Sequence, residues 1–176
     1  MNLKTFNNHY MIVTIEGEIT NEAFIVILSG YNNLNEGEVL TIYLNSPGGN
    51  VDAMNVVIDF INGHAEEIEL IGNWELCSAA FDIYMKAKCN KRLLPNTIGM
   101  AHYSSASVTV NENGELTDSY SEVKFDQLRS EKDRSLSFFR KLGLTASELK
   151  TIKAGKEQFF TYERMLELSN KSLKLK

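Results

Sequence analysis

The stretch Leu40-Thr-Ile-Tyr-Leu-Asn-Ser-Pro-Gly-Gly49 decides how this chain is read. Val39 to Leu44 is a short apolar run bounded by turn residues, which suits a strand buried on both faces. Asn45 to Asn50 is a tight loop. Met54, Val57, Ile58 and Ile61 then recur at helical spacing, and Gly63 stands where a C-cap glycine is expected. Two glycines keep the loop free of side chains, so backbone N–H groups there can face an anion or a developing oxyanion. A tight turn with no ligand has the same local sequence.

The same alternation extends outward. Met11 to Ile15 reads as a strand, and Asn21 to Leu34 as a helix with Ala23, Ile27, Tyr31 and Leu34 on one face. Ile68 to Ile71 reads as another short strand. Ser78 to Ala87 is apolar nearly all round, as in a buried helix. Thr97 to His102 suits a strand. Ser107–Val110 and Glu115–Thr117 flank Asn113-Gly114, a hairpin signal. Val123 to Leu142 is a long charged helix with Leu128, Leu136, Phe139 and Leu142 as packing residues. Thr145-Ala-Ser-Glu148 is a capping box. Thr161 caps a last helix holding Met165, Leu166 and Leu168, and residues 171–176 form a basic tail expected to be disordered. Strands alternating with helices point to an α/β domain with mainly parallel pairing.

Composition narrows the function. The 176 residues suffice for one domain with its own core, and residues 1–170 are read as that domain. Eighteen basic against 23 acidic residues leave a net charge of −5, which is poorly suited to gripping nucleic acid through phosphates. No apolar run approaches the ~18 residues of a membrane span. Cys77 and Cys89 lack metal-ligand spacing, so no metal is expected. Without a secretory h-region, a reducing cytoplasmic setting is expected.

Neutral-pH proton transfer falls to His9, His64 or His102, or to a group with a shifted pKa. His9 and His64 read as surface residues. His102 ends the run Ile98-Gly-Met-Ala101. Ser78 opens the apolar helix, where the helix dipole favours developing negative charge and the Ala79 N–H is a natural oxyanion donor. Serine is also a favoured N-cap, so locally Ser78 is either a cap or a nucleophile.

Together these pieces resemble the proteolytic subunit of the Clp protease and its phage-type relatives. Leu40 to Gly49 is similar to the family's strand and N-S-P-G-G loop. Lys91-Arg-Leu-Leu-Pro-Asn-Thr-Ile-Gly-Met-Ala-His102 resembles its K-R-x-x-L-P-N-S-x-x-M-x-H block, one residue shorter. Met11 to Ile19 resembles its opening strand and G-x-I turn, and Thr161 to Leu168 its S/T-x-E-E-A-x-E-x segment. The resemblance spans residues 11 to 170.

It implies a ClpP/crotonase-like spiral of repeated β-β-α units with a protruding long helix. It also implies a serine peptidase in which Ser78 is the nucleophile and His102 the general base. Gly49 and Ala79 would supply the oxyanion N–H groups. Glu157, four residues before Thr161, falls at the family's acidic third position, with Asp118, Asp126 and Asp133 as competitors. No cofactor is implied. Self-association into rings, heptameric or stacked in pairs, is implied, as are unfolded protein or peptide substrates and an unfoldase ATPase partner.

The chain departs from the family at the nucleophile. The usual Gly-x-Ala-x-Ser is Trp74-Glu-Leu-Cys-Ser78 here, with Gly72 two positions early. Cys77 is thus a neighbouring thiol. Two other readings are a ClpP-like shell or assembly scaffold whose site has decayed, and a crotonase-type acyl-CoA enzyme.

Overall fold

The computed structural model describes residues 11–103, 112–113 and 119–175. They fall into two compact units. The first comprises the described residues up to Met100 together with Phe159–Lys174; the second comprises Ala101–Gln158. The strands expected at 107–110 and 115–117, together with His9 and Asp118, lie outside the described residues.

In the first unit, strands β1 (Met11–Glu16), β2 (Leu40–Ser46), β3 (Ile68–Cys77), β4 (Asn90–Leu93) and β5 (Ile98–Ala101) alternate with helices α1 (Asn21–Asn32), α2 (Val51–Gly63) and α3 (Ala79–Lys86). The chain returns later with β6 (Gln158–Phe160) and α6 (Tyr162–Ser172). The sheet order is β1-β2-β3-β5-β6, with β4 also on β3. The β1–β2, β2–β3, β3–β4 and β3–β5 pairings are all parallel, as expected when helices form the crossovers.

The strand over Leu40–Ser46 is buried along most of its length, as a strand covered on both faces should be. Asn50 caps α2 through the Ala53 N–H at 2.9 Å. α2 does not end on a left-handed Gly63. It runs through Gly63, and His64 is the C-cap at φ −126. Its ring packs on Phe60 and Tyr31 at 4.5 Å each.

β3 is ten residues long, where sequence suggested four followed by a link. It has two partners in turn: Glu69 to Gly72 pair with β4, and Glu75 to Cys77 with β5. The connection is a tight turn over Leu94-Pro-Asn-Thr97. Pro95 sits at its second position, Asn96 at the third with φ 65, and Thr97 donates to the Leu94 carbonyl through N and Oγ1. Strands β4 and β6, of four and three residues, had no reading in the sequence.

α6 is tied to α3 by a buried polar chain. Lys91 Nζ donates to the carbonyls of Tyr84 and Met85, at the end of α3, and to Ser172 Oγ at 2.7 Å. Ser172 in turn donates to the Ser169 carbonyl, and Ser169 Oγ meets the Tyr84 hydroxyl. The helix therefore continues to Ser172, two residues into the expected tail. Phe81 stacks on Phe160 with centroids 5.3 Å apart.

In the second unit, α4 spans Ser119–Leu142 and α5 spans Ala146–Lys153. Among its described residues, Ala101, Phe139, Leu142, Leu144 and Ile152 are buried and apolar. The capping box at Thr145 and Glu148 is formed. Both helices end on left-handed glycines with 6→1 and 5→2 hydrogen bonds, at Gly143 and Gly155. Among the described residues, no helix is long and apolar enough to cross a membrane.

Burial lowers the Lys91 pKa to about 8 from its ordinary 10.5. Between these values the unfolded chain binds more protons, so Lys91 contributes stability that rises with pH across that window. Urea unfolding of wild type and Lys91→Met at pH 7.5, 9 and 10.5 checks this. The wild-type stability should gain on the variant as pH rises. Burial pushes the Cys89 thiol up to about 11, an opposite trend that is removed by making the comparison in a Cys89→Ala background.

Candidate active site

The Asn45–Gly49 loop is locked from inside. Ser46 is fully buried, and its Oγ accepts the Gly48 N–H at 3.0 Å. The turn after β1 then clamps the loop's backbone. Gly17 N donates to the Asn45 carbonyl, Ile19 N to the Gly48 carbonyl at 2.7 Å, and Asn50 N to the Ile19 carbonyl at 2.8 Å. Ile19 and Gly49 form a parallel bridge.

The two glycines serve different contacts. A Cβ on Gly49 would lie 2.4 Å from the Ile19 carbonyl oxygen. A Cβ on Gly48 would lie 2.6 Å from Ser78 Cβ and 2.9 Å from the Cys77 carbonyl oxygen. The loop thus packs directly against the turn that carries Ser78, and it can do so only because side chains are missing. The sequence marks both glycines as keeping the loop free of side chains and Gly49 as an oxyanion donor; Ser46 is not singled out there, and its signal is the buried strand end that leads into the two glycines.

Ser78 joins β3 to α3 at φ 53 and ψ −118. A non-glycine residue rarely holds such a conformation, and it occurs at sharp strand-to-helix turns that present a nucleophile. The side chain makes no cap hydrogen bond to α3, so the capping role open in the sequence is not the one it fills. The Ser78 N–H donates to the Met100 carbonyl at 2.8 Å, and the Ser78 carbonyl accepts from Asp82 N. These bonds fix the turn from both sides. Ser78 is half-buried, and Ala79 behind it is buried.

The Gly48 N–H is taken by Ser46, whereas the Gly49 N–H has no backbone partner among the described residues. Ala79 is the first residue of α3, and a helix's first N–H groups lack intrahelical acceptors. The two α3 charges, Asp82 and Lys86, pair with each other at 2.7 Å. Cys77 is 2% exposed.

His102 follows β5 directly and is half-buried. Glu157 is exposed and directly precedes β6, just past the Gly155 helix stop. Ser78, Gly49 and Ala79 belong to the first unit, and His102 and Glu157 to the second. His64 is held by the Phe60 carbonyl at 2.9 Å within its aromatic cluster. Among the described residues, no group of three or more His, Cys, Asp or Glu could hold a metal ion.

The Clp protease family profile matches residues 6–131, well over half of the chain.

The chain belongs to the Clp protease family.

Among solved structures, a point mutant of ClpP1 from Listeria monocytogenes superposes with a TM-score of 0.67. It shares 21% sequence identity and covers 90% of this chain and 87% of its own. The chain therefore has the ClpP fold. A search of curated proteins gives no significant match.

Gly48→Ala places a methyl group in the Ser78 turn and strains a backbone at φ 112. It should cost roughly 3 kcal/mol or more, as a clash added to a strained conformation. Gly17→Ala, at φ 80 with open space around it, should cost only about 1 kcal/mol. Chemical denaturation of the two variants checks the difference. Equal losses would mean that close packing at Gly48 is not what holds the turn.

Proposed function

We propose that this chain is a serine endopeptidase of Clp type, with Ser78 as nucleophile. One observation carries the reading. Ser78 is held in a left-handed strand-to-helix turn, makes no cap hydrogen bond, and has a glycine loop packed against it.

In this reading Ser78 Oγ attacks the carbonyl carbon of a peptide bond. His102 takes the hydroxyl proton, and the carbonyl oxygen becomes an oxyanion facing the N–H groups of Gly49 and Ala79. Collapse breaks the C–N bond, and His102 returns the proton to the leaving amine. Water, deprotonated by His102, then attacks the acyl carbon; the C–Oγ bond breaks, and His102 returns the proton to Ser78 Oγ. Glu157 orients the imidazole and stabilises its cation. Preorganised N–H donors suit this chemistry because they need no rearrangement as charge develops. The reaction draws on no metal or organic cofactor.

The position of His102 has topological support. Met100, two residues earlier, accepts the Ser78 N–H, so the strand that leads to His102 also holds the nucleophile turn. Glu157 enters β6, the neighbour of β5 in the sheet order. Its longer arm replaces the family's aspartate.

The assembly follows the family. The subunits form a ring, heptameric or stacked in pairs, which encloses the sites and admits unfolded chains or short peptides. An unfoldase ATPase feeds it in a cytoplasmic setting. Light scattering should give about seven or fourteen times the 19.9 kDa subunit mass. A clean monomer would overturn the ring.

A fluorophosphonate probe should modify Ser78, as mapped by peptide mass spectrometry. Ser78→Ala and His102→Ala should each lower kcat/KM by roughly 10⁴-fold or more, and the double variant by little more than either alone. Glu157→Gln should lower kcat by about 10²-fold or more, whereas Asp118→Asn, Asp126→Asn and Asp133→Asn leave it within about twofold. Full activity in Ser78→Ala would sink the assignment, and full activity in Glu157→Gln would pass the orienting role to another acid.

A further inference from the structure

β3 bulges where it changes partners. From Leu44 to Ser46, β2 advances two residues while β3 advances four, from Gly72 to Leu76. Asn45 Oδ1 accepts the Glu75 N–H at 3.2 Å and closes the far side of the bulge. Trp74 sits on it, with φ 58 and 68% of its surface exposed.

Both features are unfavourable for the fold alone. A bulky side chain resists a left-handed backbone, and a large indole surface is left in water. Glycine would relieve both. Among the described residues, no aromatic ring packs on the indole to account for it. Bulges beside active sites often serve to re-aim one side chain, and this one precedes Ser78 by four residues on the strand that delivers it. Two further apolar side chains are exposed on neighbouring strands: Ile98, in register with Glu75, and Phe159 in β6.

We infer that Trp74 is a specificity-determining residue that receives an apolar side chain of the peptide substrate several residues from the scissile bond. Four residues of extended strand span at most about 13 Å, so the indole stands no more than about four substrate residues from the nucleophile. A rigid aromatic is suited to this because it offers contact area with few rotatable bonds. The inference rests on the peptidase reading above.

Trp74 is the sole tryptophan, so its emission reports on this position alone. Full-length Ser78→Ala is titrated with two unlabelled, tryptophan-free peptides. One carries Leu and Phe around the central bond, and the other carries Ser and Gly in their place. The apolar peptide should shift Trp74 emission to the blue and saturate; the polar one should not. In the active protein, Trp74→Gly should lower kcat/KM for the apolar peptide by roughly 10-fold, mainly through KM, and leave the polar peptide unchanged. Trp74→Phe should restore most of the loss.

Calorimetric binding of the apolar peptide with unmoved emission would overturn the role of Trp74, as would an unchanged apolar-to-polar ratio in Trp74→Gly. Emission that follows assembly size without peptide would assign the indole to a contact between copies, and would also overturn it. Those results leave Ser78 labelling and cleavage intact. If wild type takes no fluorophosphonate and cleaves neither peptide, the peptidase reading fails, and this inference fails with it.

Discussion

A contact between two backbones governs the rest of the structure. Gly48 approaches the Ser78 turn so closely that one methyl group would collide with two of its atoms and press on a third. The turn itself is strained, and strain persists only where the surroundings over-determine it. Here the surroundings are specific. The Met100 carbonyl holds the Ser78 N–H, Ser46 holds the Gly48 N–H, and Ile19 clamps the far side of the loop. β1, β2, β3 and β5 each contribute one of these restraints or lead into it, so the parallel sheet is what makes the turn affordable.

The helices behind the site explain why it can stay rigid. α3 begins one residue after Ser78 and is buried over most of its surface. Its far end is fixed by Lys91, whose ammonium reaches the last carbonyls of α3 and the hydroxyl of Ser172. A cation at a helix C-terminus complements the dipole, and the same group ties α6 in place. The burial that depresses the Lys91 pKa is thus the cost of anchoring the helix on which the Ser78 turn rests. Ser172 lies far from Ser78 in sequence, yet through Lys91 it braces the same helix.

How much of this was legible varied with the physics of each segment. β2, its loop and α2 were readable because a buried strand, a glycine turn and an Asn cap each leave a local mark. β3 was read too short because Gly72-Asn-Trp-Glu75 has the composition of a link, whereas Asn45 and the neighbouring strands carry it as a bulge. β4 and β6 are too short to show a period; only their partners make them strands. Gly63 looked like a helix stop, but the real left-handed stops are Gly143 and Gly155. For the site, the loop and Ser78 were legible as a resemblance. The close approach of Gly48 was not, because it depends on a contact thirty residues away. His102 and Glu157 were legible only as positions in the family pattern, and their roles belong to the proposed mechanism.

The central claim is that the loop and the Ser78 turn together form an oxyanion site. The most direct measurement is a crystal structure of the assembled protein reacted with a peptide boronate. The account predicts a bond from Ser78 Oγ to boron, with one boronate oxygen within hydrogen-bond distance of both the Gly49 and Ala79 N–H groups. Boron bound elsewhere, or bound to Ser78 with no oxygen facing those two donors, would contradict it.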